Sequence, residues 1–444
     1  MTLAIPEPVI DTPSHEELEK MFDKASKAGA GRKARDDAYE GKIDPAKQGV
    51  NVDLSCGIFD TPFPFCKIYV DAIDERLDVE GFWIAGAAAA RAAIWEMWQR
   101  NGMDQNSHFA IKEMLVHKRS YIIIGKDENG DALITVHSAA GIFAEHDPLT
   151  RKIKRLFQVW KMPEAEGDAA RATLYTANYN QDYTRKGGQW LLDERLDHNY
   201  GVCPAVALIN RAMIGDYRGR SQMDHVVKHQ DAAARILTNM QVSGETIAQP
   251  QRLIFGVSNG EITQNGTMSR IKAYKSAIMG IANQDGKAFQ FPGADLRNYE
   301  TSLLQIMRPV SAVTALSMGD LGHSTENPVS PEAQEKLDRK FKKKIRGIAR
   351  MVGESFEEVV RIGSIVQGIV LPQGSRLETR WEDMGTPSMS QLADIVSKLR
   401  TPGADGRPLV SDRKAREMIG FSEEENRMEA ERLQNPQLAA LGLD

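Results

Sequence analysis

Apolar residues recurring every three or four positions mark one long helix in the middle of this chain. Val226, Val227, Ala233, Ile236, Leu237 and Met240 fall on a single face from Gln222 onward. Gly219 and Ser221 stand at its entrance, glycine suiting the turn and serine the capping position. Ala232, Ala233 and Ala234 at its centre let another helix come close. Pro250 cannot continue the helix, and Leu253, Ile254 and Phe255 before Gly256 read as a short strand. The stretch 210–256 therefore predicts a strut that runs into a strand, and not a catalytic centre.

The same patterning orders the rest. Ser14 with Glu17 forms a capping box, and Leu18, Met21, Phe22 and Ala25 predict a helix over about 15–40. A turn-rich, irregular segment follows, and then a helix over 87–100 stopped by Asn101-Gly102. Segments 121–125 and 132–137 flank Asn129-Gly130, a hairpin signal. Short strands at 156–160, 172–176 and 189–192 complete a small antiparallel sheet with one buried face. Beyond the central helix, 250–297 predicts strand 253–255, a helix around 269–281 and strand 288–291.

Segment 298–318 is a second helical stretch, carrying Leu303, Leu304, Met307, Val310, Val313 and Leu316. Pro309 lies inside it and must kink the helix or restart it. Gly319 to Asn327 is a polar loop, and Ser330-Pro331 opens a helix to about Val360. Leu337, Phe341, Ile345, Ile348 and Val352 share one side of that helix. A strand at 376–381 and further helices follow, with capping boxes at Ser388/Gln391 and Ser422/Glu425 and a break at 401–408. Strands and helices are mixed along the chain, and the fold class expected is α+β.

With 444 residues there is room for two or three domains or one extended molecule. No apolar run reaches the length of a membrane span, and the first residues lack the basic and apolar segments of a secretory signal. Cys56, Cys66 and Cys203 cannot pair completely and read as buried thiols. The net charge of -5 argues against a surface that grips nucleic acid everywhere.

Catalytic signatures are missing. There is no phosphate-cradling G-x-x-x-x-G-K-[ST], and the sequence around Ser221 lacks the second glycine of a nucleophile elbow. His225 and His229 share a helix face, yet no third ligand is evident, so polar contacts along the helix are the better reading. No catalytic, cofactor or metal residues are assigned. Arg339, Lys340, Lys342, Lys343, Lys344, Arg346 and Arg350 form the densest basic run. Without interleaved aromatics to stack bases, it reads as a solvated or subunit-facing helix side.

The order Asn210-Arg211, Gly219-x-Ser221, Asp231 and Arg235, then Pro250-x-Arg252 and Gly256 resembles the portal proteins of tailed bacteriophages, of the siphovirus head-to-tail connector type. Upstream, Arg76-Leu77-x-Val79-x-Gly81-Phe82, Ile94-Trp95 and Asn101-x-Met103-Asp104 extend the likeness. Downstream, Asn327-Pro328-x-Ser330-x-Glu332-Ala333 and Trp381-x-Asp383 carry it on. Together these cover about residues 15–430, by shared order rather than by any one sharp motif.

The resemblance implies a portal fold: an N-terminal wing (1–218), stem helix (219–249), clip (250–297), second stem helix (298–318), tunnel loop (319–330), tunnel helix with a return to the wing (331–387) and crown (388–444). It implies a ring of twelve at one capsid vertex, through which double-stranded DNA enters and leaves without sequence-specific contacts. Partners would be the terminase large subunit, major capsid and scaffolding proteins and a head-tail adaptor. The protein would reside in the virion, and in host cytoplasm during assembly, with no membrane and no cofactor. Gly319, Asp320, Leu321, Gly322, His323, Ser324, Thr325, Glu326 and Asn327 would face the DNA channel. Arg270, Lys272, Lys275 and Lys287 would dock partners at the clip. Other capsid or head-tail proteins, or an unrelated cytosolic hydrolase, are the alternatives.

Overall fold

Ser14 accepts a hydrogen bond from the Glu17 amide, and the Glu17 carboxylate accepts from the Ser14 amide at 3.1 Å. This reciprocal cap opens α1 (His15–Lys27). The computed structural model describes residues 12–42, 62–162, 169–211, 213–248, 252–255, 278–281, 297–323, 331–372, 374–382, 389–402, 408–419 and 426. The single helix expected over 15–40 is two. Gly31 adopts a left-handed conformation (φ +73°) that a continuous helix cannot contain, and α2 (Arg32–Tyr39) starts after it.

Two compact units are present, 1–382 and 383–444. In the first, α3 (Phe65–Asp74), β1 (Val79–Ile84), α4 (Ala88–Arg100) and α5 (Met103–His117) precede the strand-rich region. Asn101 stops α4 and also reaches across to the sheet. Its amide donates to Met97 and Ala132 carbonyls, and its oxygen accepts from the Ile134 amide at 2.8 Å.

The one small sheet expected from the strand signals is two sheets. β2 (Arg119–Lys126) lies between β3 (Ala132–Ser138) and β9 (Ala205–Ile209). β4 (Ile142–His146), β5 (Ile153–Lys161), β6 (Ala170–Tyr175), β7 (Tyr179–Lys186) and β8 (Gln189–Asp197) form an antiparallel five-stranded sheet in sequence order. The Asn129-Gly130 hairpin is present, with Gly130 at φ +88° and the Asp127 carboxylate accepting from the Asn129 and Asp131 amides. β4 and β7 carry mixed residues with little alternation, and the pattern did not reveal them.

One face of the five-stranded sheet receives α1. Leu18, Met21 and Ala25 pack with Phe157, Leu174, Tyr183 and Trp190. On the other side, Ile142, Leu156 and Tyr175 meet Tyr121 and Ile123 of β2. The strand expected at 376–381 lies outside this sheet: β12 (Leu377–Trp381) pairs antiparallel with β1 and, among the described residues, with no other strand, from Leu377↔Ile84 to Trp381↔Val79.

The central helix is α6 (Val227–Ala248), preceded by a 3-10 turn at Gln222–His225. Gln230 is fully buried and joins three helices. Its oxygen accepts from the Cys66 amide at 2.8 Å and its nitrogen donates to the Ala38 carbonyl at 2.7 Å.

Beyond α6, β10 (Arg252–Phe255) pairs in parallel with β11 (Ile278–Ile281). Residues 278–281, expected to end a helix, are thus a strand, as the β-branched Ile278 and Ile281 favour. The remainder of that helix and the strand at 288–291 lie outside the described residues. α7 (Arg297–Thr314) is continuous through Pro309 and ends before the expected 318. α8 (Pro331–Gln367) buries Phe341, Ile345, Ile348 and Val352 on the anticipated side.

In the second unit, α9 (Met389–Arg400) and α10 (Asp412–Ile419) are held by the Leu409 amide on the Leu399 carbonyl and by an Arg400–Asp412 ion pair at 2.7 Å. Both capping-box serines, Ser388 and Ser422, fall outside the described residues.

Candidate functional site

Asn210-Arg211 and Gly219-x-Ser221 meet at the entrance to α6. Asn210 is fully buried, donates its side-chain amide to the Arg220 carbonyl at 2.7 Å, and accepts at its own carbonyl from the Arg220 amide. Gly219 sits at φ +69° between the Lys118 and Asn210 carbonyls. The Ser221 hydroxyl accepts from the Met223 amide and donates to the Leu115 carbonyl at 3.1 Å. Arg211 donates to the Ser221 carbonyl and, at 2.7 Å, to Nε2 of His225. These residues lock the end of β9 and α5 to the start of α6. His225 accepts from a guanidinium and Nδ1 of His229 faces the His225 carbonyl at 3.1 Å, so polar contacts account for both rings. No cluster of three metal-ligating side chains occurs among the described residues.

α6 and α7 pack side by side. Ser243, near the end of α6, bonds Tyr299, near the start of α7, at 2.8 Å, as an antiparallel pair requires. α7 ends at Ala315, whose φ of +67° turns the chain out of the helix. Its last carbonyls have no intrahelical donors, and α8 supplies them. Lys340 Nζ donates to the Ala312 carbonyl at 3.0 Å and Lys344 Nζ to the Val313 carbonyl at 2.9 Å. Burial lowers the Lys344 pKa to about 8, with Arg211 and Lys340 adding repulsion. Two lysines of the basic run therefore cap a helix of their own chain with their amino groups, Lys344 half-buried and Lys340 exposed along its stem. Lysines four apart look the same on a solvated face, so the pattern held no signal for this role.

Of the nine loop residues singled out, Gly319 to His323 are described and Ser324 to Asn327 are not. The described half is a closed turn. The Ser317 amide donates to Asp320 Oδ2 at 2.9 Å, and the Asp320 amide donates back to Ser317 Oγ at 3.1 Å. Leu321 is buried at 3% exposure, whereas Gly319, Asp320 and Gly322 are exposed. Leu321, expected to face the channel with the rest of the polar loop, is instead an apolar anchor turned into the protein. Arg270, Lys272, Lys275 and Lys287 lie outside the described residues.

A charged ladder braces the elements around this entrance. His108 stands between Asp74 (3.1 Å) and Asp78 (2.9 Å), and Lys112 between Asp71 (3.2 Å) and Asp74 (3.5 Å). The hydrogen bond to Asp74, opposed by burial, raises the His108 pKa above its ordinary 6.5. A histidine raised in the folded state stabilises fully below the unfolded value, and that contribution is lost as pH rises through the folded value. His108→Gln is therefore expected to cost about 1 kcal/mol near pH 6 and progressively less toward pH 9. Denaturant titrations of both proteins at several pH values measure the gap, and a gap constant over that range contradicts the assignment. His117, His137, His146 and His198 are lowered chiefly by burial, so stability falls as pH drops below the 6.5 of an unfolded histidine.

Burial also pushes the Cys66 and Cys203 thiols up to about 12, which keeps both protonated and unreactive. No helix among the described residues is long and apolar enough to cross a membrane.

A family model described as phage portal protein, SPP1 Gp6-like, matches residues 60–437. The chain is similar to the portal protein of Mycobacterium phage L5, 32% identical over 443 residues, 96% of this chain and 89% of that protein. It is likewise similar to the portal protein of Mycobacterium phage D29, 33% identical over 420 residues, 91% of this chain and 85% of that one. Among solved structures, a chain from the neck of a native GTA particle with C12 symmetry aligns over 88% of this chain and 99% of its own, at 14% identity and a TM-score of 0.46. The family match spans most of the chain and agrees with both curated relatives. The chain belongs to the phage portal protein family, SPP1 Gp6-like, as a structural, non-enzymatic component of the virion at the capsid vertex.

Proposed function

We propose that this portal protein closes into a ring of twelve and leaves a central channel for packaging and ejecting double-stranded DNA. One head-to-tail contact, repeated until the rotation closes, builds such a ring. The terminase large subunit supplies the energy of translocation, since this chain carries no nucleotide-binding loop. Major capsid and scaffolding proteins surround the ring, and a head-tail adaptor docks on it once the head is full. Assembly takes place in the host cytoplasm. Wing, stem, clip, tunnel and crown take the boundaries set out above, and the basic clip residues meet acidic partners.

The observation that carries the reading is the family match over residues 60–437. The antiparallel packing of α6 and α7 supports it, since two paired helices are what the stem reading calls for. Size-exclusion chromatography with light scattering tests it. The expected species has about twelve times the 49.3 kDa mass of one chain. A monomer or dimer under all conditions overturns the ring, and a large assembly without a central hole in negative stain points to another head-tail component. Deleting 324–327 while keeping the Leu321 anchor is expected to leave rings intact and to block packaging. Wild-type packaging by that variant removes the loop from the channel.

A further inference from the structure

Arginines that lie over aromatic rings in this chain also tend to reach an oxygen. Arg185, over Phe22, bonds Glu19 at 2.7 Å. Arg195, over Tyr179, bonds Asp197 at 2.9 Å. Arg76, over Phe341, donates to the Ala72 carbonyl at 2.8 Å. Arg91 and Arg380 break the pattern. Both guanidiniums lie over the ring of Trp83, at 4.6 and 5.8 Å from its centre. Neither makes a side-chain hydrogen bond or an ion pair, and Arg91 Nε is buried with no acceptor.

The β1–β12 ribbon builds this arrangement. Trp83 stands opposite Glu378 and Gly81 opposite Arg380, so Trp83, Glu378 and Arg380 share one face. Gly81 has no side chain to block the way, and the Arg380 stem can lie across to the indole. Glu378 is already engaged by Arg376 at 2.9 Å. Arg91 comes from α4, where Ala88, Ala89 and Ala92 beside it are exposed and short. Trp83 is left 43% exposed. A guanidinium with unmatched N–H groups lacks an acceptor, and a carboxylate supplies one with two parallel bonds.

We propose that the Trp83, Arg91 and Arg380 face docks an acidic segment of a partner protein, with carboxylates on the guanidiniums and an apolar side chain against Trp83. The inference goes beyond the ring reading and does not depend on it. Charge selects the occupant, because Arg91, Arg380 and Arg376 against Glu378 leave the face positive. Tryptophan and arginine are the residue types that most often carry the binding energy of protein interfaces. Nucleic acid fits less well. A stacking base needs open ring surface, which Arg91 already occupies, and a phosphate backbone draws its affinity from many cations in a row.

The test is fluorescence anisotropy of the full-length protein with a short rhodamine-labelled peptide of alternating glutamate and leucine. The same peptide with glutamine for glutamate is the charge control. The glutamate peptide is expected to bind at low salt, to weaken as salt rises, and to bind at least about tenfold more tightly than the control. Arg91→Gln combined with Arg380→Gln is expected to weaken it at least about tenfold, and so is Trp83→Ala. Arg380→Gln alone changes an exposed side chain and is expected to cost about threefold or more, which serves if the other variants fold poorly. Arg171→Gln combined with Lys186→Gln, exposed on the five-stranded sheet, removes the same charge and is expected to leave binding intact.

No binding of the glutamate peptide by the wild-type chain overturns the proposal, as does equal binding of both peptides. Unchanged affinity in the Arg91 and Arg380 variants, or an equal loss in the sheet variant, also overturns it. So does a double variant that binds the peptide normally but no longer assembles, which assigns the face to a second copy. Tighter capture of a single-stranded oligonucleotide than of the peptide, lost in Trp83→Ala, reassigns it to nucleic acid. A chain that forms no ring yet binds the peptide through Arg91 and Arg380 sinks the ring reading and leaves this one standing. A ring that ignores the peptide does the reverse.

Discussion

Gly219→Ala is expected to destabilise the protein by about 3 kcal/mol or more, through backbone strain and a clash together. Gly219 lies at φ +69°, where a side chain is disfavoured, and an added Cβ falls 2.7 Å from the Lys118 carbonyl and 2.9 Å from the Asn210 carbonyl. Neither oxygen can retreat cheaply, because both belong to backbone that is hydrogen-bonded around this junction. Gly215 provides the control. It has a similar φ of +77° but nothing within 4 Å of an added Cβ, so Gly215→Ala is expected to cost only about 1 kcal/mol of conformational strain. Denaturant unfolding of the three proteins measures both. Equal effects at the two positions contradict the close-approach account.

Phe356→Ala is expected to cost about 3–5 kcal/mol. Phe356 is fully buried on α8, with ring centroids 5.3 Å from Trp98 of α4 and 6.1 Å from Trp381 of β12. Trp98 in turn lies edge-on to Phe82 of β1 at 5.0 Å. Truncating the central ring opens a cavity where α8 meets α4 and β12. Phe356→Leu keeps most of the volume and is expected to cost less than about 1.5 kcal/mol. Comparable losses from both substitutions in denaturant unfolding weigh against packing as the cause.

Local patterning carried much of the fold. The Ser14–Glu17 cap, the Asn129-Gly130 hairpin, the Asn101-Gly102 stop and the apolar side of α8 rest on interactions between near neighbours, and all are found as read. What patterning could not supply was pairing at a distance. Nothing within 376–381 says that its partner is β1, or that the other strands divide between two sheets. Gly31 splitting the first helix was legible in principle, since glycines at 29 and 31 flank Ala30. Around the candidate site, the Asn210, Gly219 and Ser221 motif was visible, while its hydrogen bonds to Lys118, Arg220 and Leu115 join segments up to about a hundred residues apart. Lys340 and Lys344 were seen only as charge, because a lysine's stem gives no sign of what its tip will reach.

The fastening of α8 at both ends has a mechanical consequence. Its first half holds the final carbonyls of α7 through Lys340 and Lys344, and its second half is wedged by Phe356 and by Gly363, which lies against Met97. Over 37 residues this makes a rod about 55 Å long with little freedom to bend independently of its supports. A load applied where the chain leaves α7 therefore travels as a tilt or slide of the whole rod. Trp98 and β12, against which Phe356 is wedged, stand at the far end of that path.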